Sequence, residues 1–217
     1  MLRTRVIPAL LLRNESLVKT LRFGKFTYVG DPCNTVRIFN ELEVDELLFL
    51  DIAATREKRS PNLKVLTDIA NECFMPLGYG GGVCTLDHVA SIFAIGFEKI
   101  VINTHAIQQP KFITQLAKRY GSQAVIASID VKRSFWGKNT VCTHAGRKNT
   151  HCNPIEWVVQ SAQNFAGVLS GLLDFVNFLN LFTYITYLYH LFSSSSYSVI
   201  LPSSTMAHTA WIFDFTS

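Results

Sequence analysis

The sequence predicts a parallel α/β protein of about five strand–helix units followed by a tail of a different kind. Three observations predict it. Short apolar runs alternate with longer amphipathic ones up to about residue 165. Several apolar runs end in a polar or charged residue, as strands buried on both faces of a parallel sheet do. Beyond that point the rhythm stops and the charge disappears. Residues 1–165 hold 34 of the 36 Asp, Glu, Lys and Arg residues, and residues 166–217 hold only Asp174 and Asp214.

Taken in order, residues 5–12 (RVIPALLL) are the predicted first strand, followed by a long polar connection through residues 23–30. A helix is expected over 32–43, with Asp31 as N-cap and Val36, Phe39 and Leu42 as its apolar face. Residues 46–52 (ELLFLDI) form a continuous apolar run ending in a carboxylate, the pattern of a strand. The grammar repeats: helix 63–73, strand 75–79, loop 80–82, helix 86–95, strand 99–103, helix 109–120 and strand 124–131. A small extra hairpin is expected at 138–143, before a helix over 154–164. Five parallel strands by themselves would leave two open edges. Residues 172–192 are nearly all apolar or aromatic, and a serine run occupies 193–196.

Length and composition exclude some functions. A chain of 217 residues buries one core, or a domain and a half; a closed eight-unit barrel typically needs about 250 residues. Net charge is +4, too small to argue for nucleic acid, and no basic stripe is interleaved with aromatics. Five cysteines without a CxxC pair read as free thiols in a reducing compartment. The N-terminal apolar stretch is too short for a signal peptide, so a cytoplasmic chain is expected. The stretch 172–192 is long enough to span a bilayer. Asp174, Asn177, Asn180 and His190 inside it, and the lack of flanking Lys or Arg, argue against a membrane span.

The most informative local feature is Gly80-Gly81-Gly82 after a short strand. Glycines let the backbone approach an anion and aim several N–H groups at it, and the next helix adds its positive end. A flexible turn is the plain alternative. Asn103 and Thr104, ending the following strand, could reach the same phosphate or simply cap a helix. Asp51, Asp130 and Lys132 are charges at strand ends, where barrel enzymes keep catalytic groups. Asp130 is the best candidate acid or base, against the alternative of a capping carboxylate. His88, His105, His144 and His151 lack metal-ligand spacing and read as ordinary helix or loop residues, and Cys84 has no evident partner.

Six stretches in order and spacing, RVIPALLLRNESLVK, GDPCNTVRIFNELEVDELLFLDI, PLGYGGG, KIVINTHA, GSQAVIASIDVKR and THAGRKNT, resemble the cyclase subunit family of imidazole glycerol phosphate synthase. The resemblance covers about residues 1–167. It implies a (β/α)₈ TIM-barrel type of fold and a lyase-type cyclase of histidine biosynthesis. Such a subunit takes ammonia from a glutaminase partner and acts on a phosphorylated nucleotide, with no metal or other cofactor. By position, the resemblance implies phosphate binding at Gly81, Gly82, Asn103 and Thr104, and catalysis by Asp130 and Lys19. It also implies a charged ammonia entrance containing Arg5, Glu46 and Lys99.

Two departures follow from the same comparison. Leu11 stands where the family has its second catalytic carboxylate, and leucine cannot transfer a proton. The stretch LLLRNESLVK resembles a paralogous branch associated with sugar amidation in surface-polysaccharide (lipopolysaccharide) biosynthesis, which implies ammonia delivery without cyclisation. Residues 168–217 match none of the family's later motifs, so the expected organisation is a partial barrel over 1–167 and an atypical, apolar and Ser-rich tail, the pattern a frameshifted 3′ end would leave.

Overall fold

The computed structural model describes residues 6–20, 25–133, 138–166, 197–202 and 211–214. Arg5 and the stretch 172–192 lie outside them. The α/β succession of a (β/α)₈ TIM-barrel type is present through five strand–helix units among these residues. The chain divides into two compact units, residues 1–20 with 24–102, and residues 21–23 with 103–217.

In the first unit, β1 is Ala9–Arg13. It starts later than predicted because Pro8 has no N–H to give a ladder, although the Pro8 carbonyl accepts from Leu48 N–H at 2.9 Å. The expected polar connection is instead a β-hairpin of β2 (Ser16–Thr20) and β3 (Phe26–Gly30). Asn14 and Glu15, which join β1 to β2, both take left-handed backbones, φ 50° and 66°, a two-residue turn whose twist suits a hairpin. The Arg13 guanidinium lies 4.1 Å over the Phe26 ring and ties the hairpin down.

Helix α1 (Pro32–Glu41) starts as predicted: Asp31 accepts from the Asn34 N–H at 2.9 Å, and Pro32 opens the first turn. Val36 is buried, but Leu42 is 63% exposed. The helix ends one residue before Leu42, and Glu43 then turns left-handed (φ 50°), so Leu42 leaves the apolar face. β4 (Leu47–Asp51) leads into a single helical turn, α2 (Ala54–Glu57), which has too few residues to show a period. Then come α3 (Leu63–Glu72), β5 (Leu77–Gly80), α4 (Leu86–Ile95) and β6 (Lys99–Ile102).

The unit's sheet runs β3-β2-β1-β4-β5-β6, with β1, β4, β5 and β6 parallel. Leu10, Phe49, Tyr79 and Ile100 stand in one register row; the last three are at most 1% exposed and form the unit's core. The adjacent row, Leu11, Leu50, Gly80 and Val101, points to the opposite face. Glycine is required in β5 for packing: a Cβ on Gly80 would meet Val101 Cβ at 2.8 Å.

In the second unit, the short helix α5 (Thr104–Gln108) precedes α6 (Lys111–Tyr120), with Pro110 between them. β7 (Val125–Arg133) is longer than predicted, because β8 (Asn139–Thr143) extends it as an antiparallel partner. β9 (Lys148–Asn149) completes the expected small hairpin. Helix α7 (Pro154–Ala166) packs on α6, where the Thr114 hydroxyl donates to the Asn164 carbonyl at 3.0 Å. Residues of the tail form β10 (Tyr197–Pro202), antiparallel to β7, and β11 (Trp211–Asp214), antiparallel to β10. The expectation of an open edge beside β7 is thereby corrected. Asp130 stands opposite Cys142 on one side and Ser198 on the other.

Candidate functional site

The glycine turn belongs to the first unit. Gly81 (φ +125°) and Gly82 (φ +68°) follow β5, and Thr85 caps α4 by accepting the His88 N–H at 3.2 Å. Packing alone demands both glycines, because a Cβ on Gly81 would lie 2.4 Å from the Asp51 carbonyl oxygen and one on Gly82 2.4 Å from that of Arg59. The Gly82 N–H donates to the Thr55 hydroxyl at a long 3.3 Å. An anion can compete for so weak a bond. The turn thus has the form of an anion cradle at a helix start.

Asp51, beside that turn, has structural work. One carboxylate oxygen accepts from the Ala53 and Ala54 N–H groups, each at 2.9 Å, and so starts α2. The other faces the Arg59 guanidinium at 3.4 Å. Arg59 is held more firmly by Glu57, at 2.7 Å, and this contact keeps the Glu57 carboxyl below its usual range. Leu11 is half-buried in β1, and Lys19 is exposed on β2.

At the opposite, N-terminal ends of the same strands, the Lys99 ammonium donates to the Glu46 carboxylate. Glu46 is 2% exposed. Gly78, in register between Leu48 and Lys99, makes room for the Leu48 side chain; a Cβ there would lie 2.3 Å from Leu48 Cδ2. Val6, Leu42 and Phe74 rim this end, and Phe74 is 89% exposed. The Phe74 N–H donates to Asn40 at 3.2 Å, whose amide in turn donates to the Glu72 carbonyl at 2.8 Å. The ring is therefore presented by a fixed backbone.

In the second unit, Asn103 precedes the first turn of α5 without a side-chain capping bond. Thr104 is buried, and its hydroxyl oxygen accepts the His144 N–H at 3.1 Å. The His144 ring meets the Thr143 hydroxyl, also at 3.1 Å. His144, read from the sequence as an ordinary loop residue, thus positions Thr104. A backbone donor carries no side-chain signal, so no sequence pattern could have found it. Asp130 is 7% exposed on β7. Together with Lys132 it acts on the Cys142 thiol, whose pKa is pushed up first by burial and further by Asp130, against the Lys132 charge. All five cysteines are free thiols.

Among the described residues, no group of three or more His, Cys, Asp or Glu could hold a metal ion. No helix among them is long and apolar enough to cross a membrane.

Successive parallel strand–helix units define a protein of the TIM-barrel class. A family model described as "Histidine biosynthesis protein" matches residues 5–169, and the chain belongs to that family. It is 48% identical over 157 residues to a protein of Pseudomonas aeruginosa named as an imidazole glycerol phosphate synthase subunit, covering 72% of this chain and 62% of that one. A Vibrio vulnificus protein also named as an imidazole glycerol phosphate synthase subunit is 44% identical over 178 residues, 82% of this chain and 68% of that one. The imidazole glycerol phosphate synthase subunit HisF of Synechocystis is 36% identical over 171 residues, 77% of this chain and 66% of that one. The chain spans about three fifths of the length of the first two relatives matched, the second from Leptospira borgpetersenii.

Proposed function

We propose that this chain is an ammonia-handling barrel subunit of the imidazole glycerol phosphate synthase type, working with a glutaminase partner in the cytoplasm. The observation that carries the reading is the ion pair of buried Glu46 with half-buried Lys99 at the strand N-termini, rimmed by exposed Val6, Leu42 and Phe74. Opposed charges close a polar entrance to water and ions, whereas neutral ammonia passes when the pair parts. The pair lies at the entrance, to which the family resemblance adds Arg5, and the apolar rim is the surface a glutaminase covers.

The substrate is a phosphorylated small molecule. In the first unit Gly81 and Gly82 are its phosphate-binding positions and Lys19 a catalytic one. In the second unit Asn103 and Thr104 are phosphate-binding positions, and Asp130 holds or moves a proton. Leu11 stands where the family has a second catalytic acid, and losing one positioned acid or base costs about 10²–10⁴-fold. The favoured chemistry is therefore ammonia delivery without ring closure, as in sugar amidation for surface polysaccharides. Cyclisation is the second reading, supported by the burial of Asp130.

Co-expression with a candidate glutaminase tests both. Ammonia delivery predicts stimulated glutamine hydrolysis without imidazole glycerol phosphate; glutamine-dependent formation of that product supports the cyclase instead. No stimulation, with or without nucleotide, removes both.

A further inference from the structure

On the helix side of the first unit, a cavity of about 350 Å³ opens beside the Asn14–Glu15 turn and the start of α3. Leu12 lines it, so it lies across the sheet from the Leu11 face. Tyr79 forms its floor: the residue is 1% exposed, and its hydroxyl is buried without a hydrogen-bond partner among the described residues. Such a group is costly to leave unmade. Burial first, and the Asp51 charge next, push the phenol pKa far up, so the group stays a donor.

The walls alternate donors and acceptors. The Asp51 Oδ2 receives two long contacts from Arg59, each at 3.4 Å, while its Oδ1 is held by the Ala53 and Ala54 N–H groups, and Asn62 donates to Glu15 at 2.9 Å. Two carboxylates against one guanidinium make the wall net negative, which disfavours phosphate. Adjacent hydroxyls suit it: one accepts from Tyr79 while its neighbour donates to Asp51. The Arg59 side chain is 37% exposed and loosely held at the Asp51 end, so it can give way to an entering ligand.

We propose that this cavity binds a neutral polyhydroxylated molecule, a sugar or sugar alcohol, through Tyr79, Asp51 and Arg59. The proposal does not depend on the ammonia-handling reading.

The test titrates the full chain with ribitol by saturation-transfer difference NMR, with inorganic phosphate as competitor. Saturable binding is expected, undisturbed by phosphate. Tyr79→Phe keeps the volume and removes one donor, so it should weaken binding about three- to tenfold without lowering Tm. Val65→Phe fills the cavity and should abolish binding. Absence of saturable binding, equal binding by Tyr79→Phe, or displacement by phosphate would each overturn the proposal. If Val65→Phe fails to fold, the Tyr79→Phe comparison decides.

Discussion

Glu46 and Lys99 pair across the width of β5, and Gly78 between their strands has no side chain because Leu48 fills that space. The pair is a structural element before it is anything else. Lys99→Met leaves a carboxylate that is 2% exposed without its cation, a loss expected to cost about 2–4 kcal/mol. Urea unfolding should show a lower midpoint at unchanged slope. Replacing both partners, Glu46→Leu with Lys99→Met, should recover most of the loss, because no buried charge then remains. A single variant as stable as the parent would mean the pair holds nothing in place.

Gly81→Ala separates packing from ligand binding at the glycine turn. The backbone there is left-handed, and the new methyl would lie 2.4 Å from the Asp51 carbonyl oxygen, which cannot move without disturbing β4. Expected destabilisation is about 2–4 kcal/mol. Gly96→Ala serves as a control: it also has positive φ, but a Cβ there meets nothing within 4 Å. Only the strain remains, about 1 kcal/mol. Thermal melts of the two variants should therefore differ in that order.

His105 gives stability a pH dependence. Its ring stacks edge-on against Phe112 at 4.7 Å, and burial lowers its pKa below the usual value. The folded chain thus holds the proton less tightly than the unfolded chain does. The associated stability is full above the unfolded pKa of about 6.5. It is lost as pH falls towards the folded pKa and declines no further below it. His105→Phe removes the ionisable group, so its urea midpoint should fall less than the parent's between neutral and mildly acidic pH. Equal declines would assign the acid sensitivity to other groups.

Elements with strong local signals were legible in the sequence. Helix α4 has the predicted bounds because Thr85 caps its start and Gly96 its end. The β1–β2 hairpin was not legible, because its Asn14-Glu15 turn lacks the glycine that usually marks such a turn. Single turns such as α2 and α5 are too short for a period. At the candidate site, residue types were readable but their commitments were not. Asp51 proves to be tied to two backbone N–H groups, and Thr104 to a backbone N–H forty residues on. Long-range main-chain bonds leave no mark on composition or spacing.

Phe74 tests the docking surface independently of any turnover. It is 89% exposed, so little of its area is withdrawn from water on folding, and replacing it should change stability by no more than about 0.5 kcal/mol. Its backbone is fixed to Asn40, so a bound partner spends little on ordering the main chain there. Burying a large aromatic at the centre of an interface is often worth about 2 kcal/mol or more. Phe74→Arg should therefore leave the melting curve nearly unchanged and weaken glutaminase binding at least about tenfold by calorimetry. If binding is unaffected while Leu42→Arg on the same rim is also silent, the partner does not dock at the strand N-termini, and the ammonia entrance must be sought elsewhere.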